Sequence, residues 1–457
     1  MTADAQEGDD GEDPPEEDPY SHPHQPRLIH ADQRQHPVGA AGGGTSRPGA
    51  DRSADDDADV EGEDQVEYRR SRSLALYWHD GELTVENYLE TRSTDEEQDN
   101  ALAVDEETVA LLSRFEEFTD VDEVVASFPE HDPESVRKAV LDLAEDGLLL
   151  TRDETAREDR LLETWGAWGE EARYFHFGTR NAIYSGDSLE QRRSDARWIR
   201  ETGGDPPPIF KSYPDAPRVY LPRLPRRIDD DFVDVLTRRR THRVFTGEKV
   251  ALADFATALY YTFAPMQLYD AGDLGTLMLR TSPCGGARHE LEGYVGVFDV
   301  EGIPPGLYHY NAESHALELI DADFDRDRLH RLTYESEMCT PSAFVCFVTA
   351  VFERTMYKYR HPRAYRVTLL SAGHLGQTFV LTSTALGLGA WQTAAFRDDE
   401  LDAALGVDGF AEGVLYMFGA GLPVYAADGM PSGISRAGLV EPAALIARHP
   451  RPDGGAE

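Results

Sequence analysis

Apolar and polar positions first alternate regularly from Tyr68 onward. In SLALYWHDGELTVENYL the period is two on both sides of Asp80-Gly81, which predicts two strands joined by a tight turn. The period then lengthens to that of helices. Two are predicted, followed by a third in which Asp132 caps, Pro133 takes the first helical position and Val136, Val140 and Leu143 share one face. Gly147 ends that helix, and Leu148 to Leu150 begin a strand. Three short helices and a strand predict a small winged-helix-like domain over 67–152. Residues 153–225 read as a helical linker in which Trp165, Trp168 and Phe175 are expected to pack. The Pro-rich stretches DPPPIF and LPRLPRR then lead into a larger domain over 226–457.

That domain opens with DDDFVDVLTRRRTHRVF, a predicted helix with Asp229 to Asp231 at its start, Arg238 to Arg240 at its end and Phe232, Val235 and Leu236 on its apolar face. TSPCGGARHELEGYVGVFDV places Pro283, Gly285 and Gly286 before an apolar strand. A helix from Tyr365 to Leu386 is apolar on most faces, as expected of a core or a subunit interface. Gly387 and Gly389 end it, Gln392 to Ala395 form a small-residue strand, and GVLYMFGAGLP follows as a buried strand.

Charge changes the picture in one direction. The chain carries a formal net charge of -41, and residues 1–66 account for only -14 of it. Those residues form an acidic tail with too few apolar side chains to offset ordering entropy, and they are expected to be disordered. His22, His24, His30 and His36 within them read as a solvated stretch, so no metal site is expected. The remaining -27 belongs to the folded body. Such acidity, with four lysines against forty arginines, suits concentrated salt, where screening shortens self-repulsion. A haloarchaeal cytoplasm is the expected setting. Nucleic acid and anionic membrane partners are disfavoured, because both need clustered cations. Cys284, Cys339 and Cys346 form no CxxC pair, and no apolar run is long enough to span a membrane.

Within this acidic chain, four arginines in six residues, Arg238, Arg239, Arg240 and Arg243, with Thr241 among them, form a credible phosphate clamp; a helix-dipole role explains the first three equally well. Gly285 and Gly286 would make a turn or let backbone approach a planar ligand. Lys358, in MYKYRHPRAYR, keeps an ammonium between two tyrosines where arginine is the rule elsewhere. It is a candidate base or a structural cation.

Taken in order, these segments resemble the FMN-dependent nitroreductase superfamily and, within it, the SagB/ThcOx-type dehydrogenases. RRTHRVF is similar to RRSxRxF, PCGGARHELEGY to PSxGxxxPxExY, GIPPGLYHYNAESHALELI to GLYxYxPxxHxLxxL, and KYRHPRAYRVTLLSAGHLGQ to KYGxRxYRxxLLExGHxxQ. LGLGAWQTAAF resembles the stretch that lies against the flavin ring. The resemblance implies an α+β fold with a mixed sheet flanked by helices, a homodimer, and FMN as cofactor. Arg239, Arg240, Thr241 and Arg243 would bind its phosphate, with Arg436 as a further contact. Pro283, Cys284, Gly285, Gly286 and Ala287, with Gln392, Thr393, Ala394 and Ala395, would contact the isoalloxazine.

It further implies azoline dehydrogenation in a ribosomally made peptide, with Lys358 and Tyr359 catalytic: a base removes the ring Cα proton while hydride passes to flavin N5. Thr108 to Leu150 resembles a PqqD-type peptide-recognition module, which suggests a precursor peptide and a cyclodehydratase as partners. Three positions depart from the family pattern: Cys284 replaces Ser, Glu290 replaces Pro, and Ser371 replaces Glu. A small-molecule NAD(P)H-dependent nitroreductase or flavin reductase, and a non-catalytic peptide-binding scaffold, are the alternative readings.

Overall fold

The computed structural model describes residues 66–89, 101–182, 188–427 and 429–433, and the backbone of 27–28 and 184–185. Arg436 and, apart from that backbone, the acidic segment with its four histidines lie outside these residues. Two compact units divide between Tyr184 and Ser185, inside the predicted linker 153–225.

In the first unit, β1 (Glu67–Arg70) is followed by the hairpin β2 (Leu74–His79) and β3 (Glu82–Asn87). Asp80 and Gly81 supply the two positive φ angles, 49° and 86°, that such a two-residue turn requires. β4 (Ala101–Ala103) pairs with the far side of β3, so β2 is the outer strand among the described residues, with Leu76 and Trp78 exposed. Helices α1 (Glu106–Ser113), α2 (Val121–Ala126) and α3 (Pro133–Glu145) each begin at an aspartate whose carboxylate accepts first-turn N–H groups: Asp105, Asp120 and Asp132. The predicted face of α3, Val136, Val140 and Leu143, is buried with Leu112, Phe115 and Val124. β5 (Leu149–Leu150) then pairs with β1. α4 (Thr155–Trp165) and α5 (Gly169–Gly178) complete the unit. Trp168, expected to pack, is 70% exposed and meets Trp165 edge-on, because it falls in the turn joining these helices.

The second unit begins with α6 (Leu189–Gly203) and is built on one seven-stranded sheet. Its strands are β6 (Arg218–Tyr220), β7 (Leu291–Val297), β8 (Gly306–Asn311), β9 (Ala316–Asp321), β10 (Phe344–Val351), β11 (Gly389–Thr393) and β12 (Glu412–Gly421), in the order β11-β12-β10-β7-β8-β9-β6. All six ladders are antiparallel. Parallel pairing enters through single-residue bridges, Thr241 with Ala390 and Val250 with Val300.

The interior strand β10 packs on both faces, which is why its sequence is almost wholly apolar. Phe344, Cys346 and Val348 join one core with Phe255 and Phe263 of α8 (Leu252–Phe263) and Phe379 of α11 (Ala364–Ala385). Val345 and Phe347 join the other, with Leu329 of α9 (Arg326–Leu332) and Leu401 and Leu405 of α12 (Asp398–Leu405). Helices thus cover both faces, and each fully buried Phe or Leu contributes roughly 1.5–3 kcal/mol. Two short helices, α7 (Phe232–Arg238) and α10 (Phe352–Met356), border the site described next. Among the described residues no helix is long and apolar enough to cross a membrane.

Candidate active site

Helix α11 gathers the site. Ser282 Oγ lies 2.6 Å from Thr378 Oγ1 and His374 Nδ1 lies 3.2 Å from Pro283 O, which ties the loop before β7 to this helix. Along that loop Gly286, Ala287 and His289 have φ of 60°, 53° and 44°. The left-handed region costs a non-glycine residue about 1–2 kcal/mol, so Ala287 and His289 are held there by their surroundings. A Cβ at Gly286 would collide with the Tyr359 hydroxyl and lie 3.0 Å from Lys358 Nζ. Glycine is what lets the Lys358-Tyr359 pair close on the loop. Gly285 is as tightly met, by Val367 of α11.

The three departures from the family motifs meet one another. Cys284 Sγ donates to Glu290 Oε2 at 2.9 Å, accepts from His289 N at 3.1 Å, and is also reached by Ser371 of α11. Burial, then the Glu290 carboxylate, pushes the thiol up to about 12, so Cys284 acts as a hydrogen-bond donor rather than a nucleophile. The carboxylate that the family pattern places at 371 stands here at 290, across the same sulfur.

Lys358 and Tyr359 follow α10 and are both half-buried, with the ammonium 5.1 Å from the Tyr359 ring centre. They are anchored by charges that the sequence reading did not single out. Arg354 of α10 is 2% exposed, pairs with Glu292 at 2.6 Å, and donates to Pro208 O and His289 O. Arg288 is buried too and donates to Arg354 O at 3.1 Å. His309 stands between Glu292 and Glu318, at 3.5 Å and 2.9 Å. An ion-paired strap therefore runs from the sheet through α10 to the glycine loop. The available signal was the charged run Arg288 to Glu292 leading into an apolar strand, since buried charges require partners.

Burial by itself would raise the Glu292 carboxyl; Arg354 and His309 outweigh it and hold it down to about 2. A depressed carboxyl stabilises the fold fully above its ordinary value of 4.5 and loses that contribution as pH falls toward 2. Glu292→Gln leaves Arg354 buried without its counterion and is expected to cost about 3–5 kcal/mol. Denaturant titration across the acid range checks both points: the variant's stability should fall less steeply with acid than the wild type's. Parallel profiles would remove Glu292 from the linkage.

The arginine segment divides by alternation. Asp231 caps α7, which ends at Arg238, and beyond it Arg239 is extended, Thr241 bridges Ala390 and His242 N donates to Ala390 O at 3.0 Å. Arg240 and His242 line a cavity that none of Arg239, Thr241 and Arg243 lines. The Arg240 guanidinium donates to Thr237 O and Arg239 O, closing the helix end, and Arg238 pairs with Asp230. The guanidiniums of Arg239 and Arg243 meet no acceptor among the described residues, in a chain where Asp and Glu outnumber Lys and Arg by 85 to 44. Two unpaired guanidiniums flanking a hydroxyl fit an anionic group such as a phosphate.

Thr241 leads to β11. There Trp391 Nε1 donates to Ser342 Oγ at 2.6 Å, and its indole lies so close to Gly419 that no Cβ fits. Gln392 Oε1 is buried without a hydrogen-bond partner among the described residues and abuts Gly376 of α11. The small-residue strand predicted over 392–395 stops at Thr393, whose Oγ1 accepts from Ala395 N; Ala394 and Ala395 lie exposed beyond it. The glycine loop, the Lys358-Tyr359 pair and Gln392 thus meet around α11, and Thr241 joins through β11.

Residues 236–422, which contain the arginine segment, the glycine loop, Lys358, Tyr359 and β11, match the model of the nitroreductase family. The chain carries a nitroreductase-family domain. The trifolitoxin-processing protein TfxB of Rhizobium leguminosarum bv. trifolii is 33% identical over 166 residues, 35% of this chain and 44% of TfxB. The trifolitoxin operon protein TfxC of the same organism is 24% identical over 288 residues, 61% of this chain and 79% of TfxC. The microcin B17-processing protein McbC of Escherichia coli is 29% identical over 135 residues, 28% of this chain and 49% of McbC. The chain spans less than half the length of TfxB and McbC.

Proposed function

We propose that this chain is an FMN-dependent dehydrogenase that converts azoline rings in a ribosomally made peptide to azoles. The observation that carries the reading is the approach of Lys358 Nζ and the Tyr359 hydroxyl to Gly286 on the glycine loop. TfxB and McbC are named for processing trifolitoxin and microcin B17, which supports a peptide substrate.

Arg239, Thr241 and Arg243 hold the FMN phosphate, with Arg436 as a further contact, while Pro283 to Ala287 and Gln392 to Ala395 line its ring. Bound FMN supplies the hydride acceptor. Lys358 takes the ring Cα proton, which a guanidinium in its place would not accept, and Tyr359 relays it. The ring loses one proton and one hydride, so its balance closes on these two acceptors.

Leu76 and Trp78, exposed on β2, the outer of the three described strands of this sheet, suit apolar contact with an extended peptide. Leu369 and Leu370 are exposed on α11, which supports a homodimer. An azoline substrate must be supplied by cyclodehydration of Cys, Ser or Thr, so a cyclodehydratase acts before this enzyme.

The test is incubation of the FMN-loaded protein with a thiazoline-containing peptide, read by mass spectrometry as loss of two hydrogens per ring. An unchanged peptide, with rapid anaerobic bleaching of the flavin by NAD(P)H, would overturn the reading in favour of a small-molecule reductase.

A further inference from the structure

The cavity behind the arginine segment has a volume of about 540 Å³, which falls among small-molecule sites of roughly 300–1,000 Å³. Its polar wall is built around His242, only 6% exposed. His242 Nδ1 is buried with no hydrogen-bond partner among the described residues and faces Gly389, where a Cβ would lie 2.9 Å away. A proton on Nδ1 would have no acceptor, so the neutral ring carries its proton on Nε2. Burial also holds this imidazole below its ordinary pKa. Nε2–H meets no acceptor among the described residues, which leaves it to a ligand.

Two cations stand on the same wall. Arg238 is neutralised by Asp230, whereas Arg240 uses one nitrogen on two helix-end carbonyls and meets no carboxylate among the described residues. One uncompensated charge and one neutral donor suit a monoanion; a dianionic phosphate would lack its second cation. Facing them are Leu386, Leu388 and Met430.

We propose that this cavity binds a small organic carboxylate with an aromatic or apolar body, the carboxylate accepting from His242 Nε2–H and Arg240 and the body lying against Leu386, Leu388 and Met430. The site is separate from the face presented by Arg239, Thr241 and Arg243 and does not rest on the dehydrogenase reading.

Fluorine NMR titration of the FMN-loaded protein with 4-fluorobenzoate tests it, with 4-fluorobenzamide as the neutral isostere and inorganic phosphate as competitor. Saturable binding of the benzoate is expected, with the amide and phosphate much weaker and no displacement by added FMN. His242→Phe keeps the ring and removes an unpaired buried nitrogen, so it should fold with an undiminished melting temperature yet bind roughly tenfold more weakly. Met430→Trp fills the cavity without touching the polar wall and should also block binding. No saturable binding, equal binding of the amide, displacement by phosphate or FMN, or unchanged affinity in both variants would each overturn the proposal.

Discussion

Lys358→Ala is expected to lower dehydrogenation of a thiazoline peptide by roughly 10²–10⁴-fold, the usual contribution of a positioned general base, while FMN stays bound. The geometry gives the reason. Lys358 Nζ reaches the glycine loop from the end of α10, and α10 is held by the buried Arg354–Glu292 pair and by Arg288. The amine is therefore delivered by a rigid strap rather than by a flexible surface side chain, and removing it leaves the strap intact. Lys358→Arg is the informative companion, because it keeps the charge and removes the base; it should be nearly as inactive as the alanine variant. Activity is read by mass change of the peptide and cofactor content by the absorbance of released flavin. Full turnover in Lys358→Arg would show that the position needs a cation and not a base.

Arg239→Ala and Arg243→Ala are each expected to weaken FMN retention roughly 10- to 100-fold, the value of a charge-assisted hydrogen bond lost from a phosphate. Neither guanidinium has an acceptor among the described residues of this acid-rich chain, so neither has a described ion pair to lose. Arg240→Ala supplies the contrast within the same motif. Its guanidinium closes the end of α7 and lines the opposite cavity, so its effect on FMN should be several-fold smaller. Dialysis of flavin-loaded proteins followed by fluorescence of the retained cofactor measures all three. Equal losses across the three variants would contradict the division by alternation.

Local physics made much of the fold readable in advance. The hairpin at Asp80-Gly81, the Asp132 cap of α3 and the long apolar α11 depend on neighbours a few residues away. Alternation and capping report them directly. Motif order likewise marked the arginine segment, the glycine loop and Lys358. Trp168 packs edge-on against Trp165 as an aromatic in a helical region should, and only its place in the α4–α5 turn leaves it exposed.

The sequence by itself determined which residue types carry chemistry and the strands and helices that bear them. Only the tertiary structure decided how they meet: that Arg240 turns away from Arg239 and Arg243, that Cys284, Glu290 and Ser371 form one cluster, and that Arg354, Glu292 and His309 strap Lys358 to the sheet. Those are contacts between segments far apart in the chain. Desolvation makes each of them obligatory once the core closes, because a buried charge or thiol must find its partner wherever the fold has brought one.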